Sequence, residues 1–303
     1  MKVGSFYRFL DLSEPDLFRD ALQSQCEERS LLGTILVASE GFNGTIAGEQ
    51  SAIEAVLAWV ENKLALDAPI DCRWTEVVEA PFRRMRVRHK KEIVTLGRPD
   101  IRPHNKTGIH VRPENWNTII DDPNVLLIDT RNHYEVEVGT FPGAVDPGTD
   151  NFRQFKKFAS QLAETSTERP LAMFCTGGIR CEKATALMLE LGFDEVYHLQ
   201  GGILNYLTQM SAKENRWDGE CFVFDSRVAV DRDLAEGGYV QCHACRRPLS
   251  SEELASADYR EGISCPHCIG TLEDERIARL EERRRQVALA RERGDKHIGA
   301  KHD

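Results

Sequence analysis

The sequence lacks any apolar run long enough to cross a membrane. Its longest apolar runs, at 125–128 and 171–175, are far shorter than the roughly 20 residues that a spanning helix needs. Near the first residue, Arg8 and Asp11 interrupt the apolar side chains, so this segment also lacks the apolar core of a signal peptide. We therefore predict a cytoplasmic protein that does not associate with membranes.

Positive charge is also in deficit. The 39 Lys and Arg residues are outnumbered by 49 Asp and Glu residues, and the formal net charge is −10. Taken over the whole chain, this balance argues against a nucleic-acid partner, because phosphate binding relies on Lys and Arg. Residues 83–106 depart from it, with nine basic residues against two acidic ones. This segment is either a solvated, charged strand and linker or a surface that contacts phosphates.

The sequence contains no flavin-binding or nicotinamide-binding motif. In a cytoplasmic protein its nine cysteines are not expected to form disulfides, so metal binding or thiol chemistry is the better interpretation. Two Cys-x2-Cys pairs, Cys242 with Cys245 and Cys265 with Cys268, are separated by 19 residues, a spacing typical of zinc sites. Four thiolates complete a tetrahedral shell. We therefore predict a structural Zn²⁺, with redox pairs or free thiols as the alternatives.

The order of strand-like and helix-like segments indicates several domains. The first 80 residues show the β-α-β-β-α-β order of ferredoxin-like folds, with a turn at 40–44 and a last strand at 72–78. After residue 112, short apolar strands alternate with helices, as in a parallel sheet that is covered on both faces. The predicted fold is therefore an α+β domain followed by an α/β domain and a small metal-binding segment. The predicted boundaries are 1–92 for the ferredoxin-like domain, 93–112 for a basic linker with prolines, 113–215 for the catalytic parallel-sheet domain, 216–272 for the zinc segment and 273–303 for a charged helix and tail.

A cysteine at the end of a buried strand carries the strongest functional signal. Cys175 follows the apolar segment 171–174 and precedes Gly177, Gly178 and a helix. Ligands bind at the carboxyl ends of parallel strands, and loop amides, a helix N-terminus and the Arg180 charge all stabilise a thiolate. We predict that Cys175 is a nucleophile, with a buried structural cysteine as the alternative.

These residues resemble a known family. Cys175-Thr-Gly-Gly-Ile-Arg180 is similar to the active-site loop of rhodanese domains, and the resemblance extends to Leu127-Ile-Asp-Thr-Arg131 and His198-Leu-Gln-Gly-Gly-Ile203. More narrowly, four motifs in order resemble the bacterial tRNA uridine 5-hydroxylases of the TrhO family. They are Ser39-Glu-Gly-Phe-Asn-Gly-Thr-Ile-Ala-Gly48, Pro81-Phe-Arg-Arg84, Lys90-Lys-Glu-Ile-Val94 and Cys175-Thr-Gly-Gly-Ile-Arg-Cys-Glu-Lys183.

The resemblance implies a tRNA-modifying oxidoreductase that hydroxylates C5 of the wobble uridine, with molecular oxygen as co-substrate. Cys175 is then the essential cysteine and Arg180 its electrostatic partner. Gly177, Gly178 and Arg131 are expected to contact the substrate, although for Arg131 a structural ion pair with its neighbour in the chain is an equal alternative.

The resemblance also gives the basic segment a role, namely contact with the anticodon loop of tRNA. No obligatory protein partner is expected. The predicted contacts with the tRNA backbone are Arg83, Arg84, Arg86, Arg88, Lys90 and Lys91. Two other functions remain open, a rhodanese-type sulfurtransferase that uses a persulfide of Cys175 and a non-enzymatic RNA-binding module.

Overall fold

The computed structural model describes residues 1–77, 81–225 and 227–293, without the side chain of Arg291. The chain divides into two compact units. The first consists of Met1–His133 with Phe141–Arg216, and the second of Tyr134–Thr140 with Trp217–Asp303. No helix in the described ranges is long and apolar enough to span a membrane.

The N-terminal part of the first unit is a five-stranded sheet with two helices packed on one face. The strand order β4-β1-β3-β2-β5 contains the ferredoxin-like order, and the helices alternate with the strands as predicted. Apolar residues of α1 and α2, such as Leu22 and Val56, pack against Phe6 and Ile46 of the sheet. The elements are β1 (Lys2–Phe9), α1 (Pro15–Glu28), β2 (Leu32–Ala38), β3 (Gly41–Gly48), α2 (Gln50–Lys63), β4 (Cys72–Glu76) and β5 (Met85–His89).

The turn between β2 and β3 is tighter than predicted. Strand β3 begins at Gly41, inside the segment 40–44 that was predicted to be a turn. Gly41 has a φ of +129°, and a Cβ at this position would lie 2.0 Å from the carbonyl oxygen of Arg8. Only glycine fits such an approach of two backbones. The end of the predicted last strand, Val78, lies outside the described residues.

Strand β5 extends the ferredoxin-like sheet by one edge strand. It runs parallel to β2, and Val87 pairs with Ile35. Met85 and Val87 are buried in the core beneath the helices, so Arg86 and Arg88 lie on the opposite face of the sheet. Two of the nine basic residues of the segment 83–106 therefore lie within a sheet strand, on the face away from the core.

The remainder of the first unit is built on a parallel sheet with the strand order β6-β10-β9-β7. Strands β7, β9 and β10 are largely buried, as expected for strands covered on both faces. Strand β6 lies in the segment 93–112 that was predicted to be a linker, and a 3-10 turn, Phe152–Gln154, precedes the helix that begins at Phe155. The elements are β6 (Ile109–Val111), α3 (Pro113–Ile120), β7 (Leu126–Asp129), α5 (Phe155–Ala163), β9 (Leu171–Phe174), α6 (Ile179–Glu190), β10 (Val196–Leu199) and α7 (Gly202–Gln209). Between β7 and α5 the chain enters the second unit, to which α4 (His133–Val136) belongs from Tyr134 onwards, together with β8 (Gly139–Thr140).

The second unit contains short two-stranded sheets and the cysteine cluster. Strand β11 pairs with β8, β12 with β13, and β14 with β15. A capping box at Ser250 and Glu253 starts the short helix α8. The elements are β11 (Asp218–Gly219), β12 (Cys221–Phe222), β13 (Ala229–Val230), β14 (Val240–Gln241), β15 (Pro248–Leu249), α8 (Ser251–Leu254) and α9 (Asp274–Glu292). Helix α9 is the predicted charged helix, whereas residues 294–303 of the predicted tail lie outside the described residues.

Candidate active site and cysteine cluster

Cys175 lies in the loop between β9 and α6, at the carboxyl edge of the parallel sheet. The loop closes around the sulfur, and the Gly178 amide donates a hydrogen bond of 3.0 Å to Cys175 Sγ. Gly178 adopts a φ of +93°, a conformation that strongly favours glycine, and the next residue begins α6. The predicted arrangement of strand, cysteine, glycines and helix is therefore present.

The loop favours the thiolate form of Cys175. Burial alone would raise the pKa of this thiol, because it disfavours the charged form. A hydrogen bond from the Cys181 thiol, the charge of Arg180 and the amides of Cys181 and Arg180 outweigh burial and lower the pKa of Cys175 to about 5. At neutral pH the sulfur is thus an anion, which is the nucleophilic form of cysteine.

Cys181 is the immediate neighbour of this thiolate. Its side chain is fully buried and lies 3.5 Å from the hydroxyl oxygen of Thr130. Burial and the negative charge of Cys175 raise the pKa of Cys181, so Cys181 keeps its proton and donates it in a hydrogen bond to Cys175. The structure therefore places a protonated second thiol beside the nucleophile.

Two side chains of the N-terminal sheet lie against the cysteine loop, and the sequence did not single out either of them. The hydroxyl of Tyr7 donates a hydrogen bond of 3.3 Å to Glu182 Oε1, and a Cβ at Gly178 would lie 3.0 Å from it. The guanidinium of Arg73 lies against Gly177, where a Cβ would be 3.2 Å from Nη1. Strand alternation places both residues on the sheet face away from the core, but no local pattern shows that this face meets the loop.

The substrate-binding role predicted for Arg131 requires correction. Arg131 and Asp129 are both fully buried, and the guanidinium makes a two-pronged contact with the carboxylate, with Nη2 2.6 Å from Oδ2 and Nε 2.9 Å from Oδ1. A fully buried guanidinium in this geometry contacts no substrate. The alternative of a structural ion pair at the end of β7 is the one that the geometry favours.

The predicted tRNA contacts occupy three positions around β5. Arg83 and Arg84 precede the strand and are exposed, whereas Lys90 and Lys91 follow it and are also exposed. Arg86, which is half-buried, and Arg88, which is exposed, lie within the strand on the sheet face that also carries Tyr7 and Arg73. Only these two arginines share a face with the side chains that border the cysteine loop.

A buried ion cluster joins α6 to the N-terminal sheet. Lys183 Nζ lies 2.9 Å from Glu40 Oε2 and 2.5 Å from Glu92 Oε2, and none of the three side chains is more than 5% exposed. The Glu40 carboxylate also accepts the Ile93 amide, and Glu92 accepts the amide of Gly97. These residues belong to three of the motifs quoted above, and their role is to hold the segment after β5 against α6.

The four cysteines of the second unit come together as predicted. The Sγ atoms of Cys242, Cys245, Cys265 and Cys268 all lie within 4.8 Å of one another. The Sγ of Cys265 is 3.6 Å from those of Cys245 and Cys268. Zinc–sulfur bonds of about 2.3 Å in a tetrahedron separate the sulfurs by about 3.8 Å, so the cluster has the donors and spacing to hold a metal such as zinc.

Two family models match the two parts of the first unit. Residues 1–93 match the UPF0176 acylphosphatase like domain, and residues 113–209 match the Rhodanese-like domain. The human single domain sulfurtransferase TSTD1 is 24% identical, with 34% of this chain and 97% of that chain covered and a TM-score of 0.29. A rhodanese-like domain from Anabaena is 16% identical, with coverage of 36% and 78% and a TM-score of 0.30. An acylphosphatase from Coxiella burnetii is 20% identical, with coverage of 29% and 90% and a TM-score of 0.22.

Proposed function

The chain has the architecture of the TrhO/UPF0176 family, an acylphosphatase-like N-terminal domain followed by a rhodanese domain, and we propose that it hydroxylates C5 of the wobble uridine in tRNA. The reaction consumes molecular oxygen, takes place in the cytoplasm and uses Cys175 as the nucleophile. The observation that carries the proposal is the low pKa of Cys175, about 5, in a loop that borders the N-terminal domain.

The chemistry begins at C6 of the uracil ring. The Cys175 thiolate forms a C–S bond to C6, and the electron pair of the C5–C6 double bond moves onto C5 and the neighbouring carbonyl. The electron-rich C5 then takes up oxygen and one proton and becomes a hydroperoxide. Loss of the C5 proton and departure of the Cys175 thiolate restore the double bond.

The hydroperoxide must then be reduced by two electrons. We assign this step to thiols, because two thiols reduce the O–O bond to a hydroxyl and water and become a disulfide. The sum is uridine, oxygen and two thiols giving 5-hydroxyuridine, water and one disulfide. Cys181 is the thiol nearest to Cys175 in the described part of the chain, and its proton is held in place by burial.

Recognition of tRNA would combine cations with a single-stranded target. The wobble base lies in the anticodon loop, so it can turn out of the stack without the opening of a duplex. Arg73 lies beside the cysteine loop on the edge strand β4, whereas Arg86 and Arg88 lie on the same sheet face at the opposite edge, on β5, which leads to the exposed Lys90 and Lys91. The proposed path of the RNA backbone follows these cations.

Nucleoside analysis of tRNA tests the reaction. Wild-type protein incubated with unmodified tRNA, oxygen and a thiol should form 5-hydroxyuridine, and Cys175→Ala should form none. Cys72→Ala is the matched control, because Cys72 is a half-buried cysteine of β4 on the core side of the N-terminal sheet. Full product formation by Cys175→Ala would refute the role of the cysteine.

A persulfide sulfurtransferase is the second candidate, favoured by the rhodanese domain itself. In that reaction Cys175 accepts a sulfur atom, and the amides that now face its sulfur would hold the persulfide. The same assay with thiosulfate in place of oxygen separates the two functions. A thiolated nucleoside that appears only with the sulfur donor would support the sulfurtransferase and contradict the hydroxylase.

Salt dependence tests the tRNA contacts. Each phosphate contact to a single strand contributes about 0.7 to the slope of log affinity against log salt. Replacement of Arg86, Arg88, Lys90 and Lys91 by glutamine should therefore flatten the slope by about 3 if all four contact phosphates. An unchanged slope, measured by fluorescence anisotropy of labelled tRNA, would place the RNA elsewhere.

We also propose that the cysteine cluster binds a structural Zn²⁺. Four protein thiolates fill a tetrahedral shell and leave no position for a substrate. The cluster lies in a unit whose strands are only two residues long, so the metal would supply stability that such small sheets lack.

A further inference from the structure

A second group of metal-ligating side chains lies in the first unit, next to the cysteine loop. His110 of β6, Glu182 of α6 and His198 of β10 offer two imidazole nitrogens and a carboxylate oxygen that all lie within 4.8 Å of one another. Strands β6 and β10 are parallel neighbours in which His110 pairs directly with His198. The two rings, with centroids 4.1 Å apart, therefore face the same helix.

The buried histidine is the observation that calls for a ligand. His198 is 1% exposed, and neither of its ring nitrogens makes a hydrogen bond with any described residue, although the backbone of Gly108 approaches the ring. An unsatisfied buried polar group costs about 1–3 kcal/mol and in native proteins points to a bound water or ion. His198 thus has a free lone pair next to a carboxylate.

The carboxylate is already oriented for this role. Glu182 Oε1 lies 2.9 Å from His110 Nε2, and Oε2 accepts a hydrogen bond of 3.2 Å from Thr107 Oγ1. Tyr7 donates a further hydrogen bond to Oε1. Partners of this kind fix the orientation of metal ligands and are typical of metal sites. His110 is 43% exposed at the edge of the sheet, which gives an ion a path to the group.

We propose that His110, Glu182 and His198 bind a first-row divalent transition-metal ion. Metal–ligand bonds of about 2.1 Å place neighbouring ligand atoms about 3 Å apart, a separation that His110 and Glu182 already have. Two histidines and one carboxylate on one side of an ion are the ligand set of non-haem Fe(II) sites, in which three positions stay open. The ion would replace the proton that His110 and Glu182 now share.

The ligands of this site differ from those of the cysteine cluster and do not include the nucleophile. Its ligands are nitrogen and oxygen atoms, whereas the cluster in the second unit offers only thiolates. Although Glu182 directly follows Cys181 in α6, consecutive residues of a helix do not face one another: Cys181 faces Thr130, whereas Glu182 faces His110. The proposal concerns binding of the ion and depends on these side chains, not on the hydroxylation proposed above.

Titration of the full-length protein with Mn(II) alone tests the proposal. Mn(II) prefers nitrogen and oxygen ligands to thiolates, so it reports on this group and not on the four cysteines. Calorimetry or the electron paramagnetic resonance of free Mn(II) should show one saturable site per chain. His110→Ala should weaken binding at least tenfold, and this half-exposed side chain can be removed without opening the core. Glu182→Gln should weaken binding as well.

The control is His89→Ala. His89 forms a similar pair with Asp16, at 2.8 Å from Nδ1 to Oδ1, and is 38% exposed, but the metal-ligating groups of the described residues do not include it. This variant should bind Mn(II) as the wild type does. No saturable binding at millimolar Mn(II), or equal binding by His110→Ala and wild type, would overturn the proposal and leave a buried water as the partner of His198.

Discussion

Replacement of Lys183 by methionine should cost the protein a large part of its stability. The methionine side chain fills a similar volume, but it leaves the carboxylates of Glu40 and Glu92 buried without the ammonium that lies 2.9 and 2.5 Å from them. Removal of one partner of a buried ion pair typically costs about 3–5 kcal/mol. Because whole proteins are stable by only about 5–15 kcal/mol, a loss of about 3–5 kcal/mol would remove a large part of the stability.

The pH dependence of this loss identifies its cause. In the wild type, burial raises the pKa of Glu40, whereas for Glu92 the hydrogen bond and charge of Lys183 outweigh burial and lower the pKa. Without the lysine, both carboxyls should have folded-state pKa values above their unfolded values. A group of that kind stabilises the fold below its unfolded pKa and loses the contribution as the pH rises through the folded pKa. The Lys183→Met variant should therefore lose stability from about pH 4 upwards.

Urea unfolding followed by circular dichroism measures the effect. Lys157→Met, at an exposed position of α5, is the matched control and should change stability by less than about 0.5 kcal/mol. Addition of Glu40→Gln and Glu92→Gln to Lys183→Met removes the buried charge and should restore at least half of the loss. A loss below about 1 kcal/mol for Lys183→Met, or one independent of pH, would refute the assignment of an ion cluster in a low-dielectric interior.

Three further predictions concern the two cysteine sites. The ultraviolet absorbance of the Cys175 thiolate, taken as wild type minus Cys175→Ala, should titrate near pH 5, and Arg180→Gln should raise this midpoint; a wild-type midpoint near 8.5 contradicts the electrostatics. Gly178→Ala should abolish product formation and lower the free energy of unfolding by about 1–3 kcal/mol, because Gly178 has a φ of +93°. Gly192→Ala is the control: Gly192 has a φ of +98° and no atom lies within 4 Å of an added Cβ, so this variant should lose similar stability and keep normal activity. The Cys265→Ser variant should lose its zinc, and amide hydrogen exchange should become faster over residues 240–272 while it stays unchanged in β9. A variant that retains zinc at the wild-type content would argue against the cluster as the zinc ligand.

The features that the sequence predicted correctly are local in the chain. The loop of Cys175 is visible because strand, cysteine, glycines and helix follow one another within a few residues, and each has its own physical signature. The cysteine cluster is visible because zinc sites have a characteristic ligand spacing. The ferredoxin-like order follows from apolar periodicity in segments that are each long enough to show it.

The features that were missed depend on contacts between distant residues. Lys183 is 143 positions from Glu40 and 91 from Glu92, and a lysine in a helix is normally read as exposed. Strand β6 has only three residues and follows a basic, proline-containing segment, so neither length nor periodicity marks it. The role of Arg131 was missed for another reason. Its partner Asp129 is only two residues away, but the sequence does not show that both side chains are fully buried, and this burial makes the pair structural.

The recognition motifs therefore contain two physically different kinds of residue. Cys181 and Arg180 act on Cys175 from within the loop and the first turn of α6, and together they account for a reactive thiolate. The ion cluster of Glu40, Glu92 and Lys183 does not form part of the thiolate site. Its ion pairs attach the N-terminal sheet to α6, the helix whose first turn closes the cysteine loop. A rhodanese loop alone needs no such attachment. Besides its contribution to stability, the attachment keeps Tyr7 and Arg73 of the N-terminal sheet at the loop, as the proposed function requires.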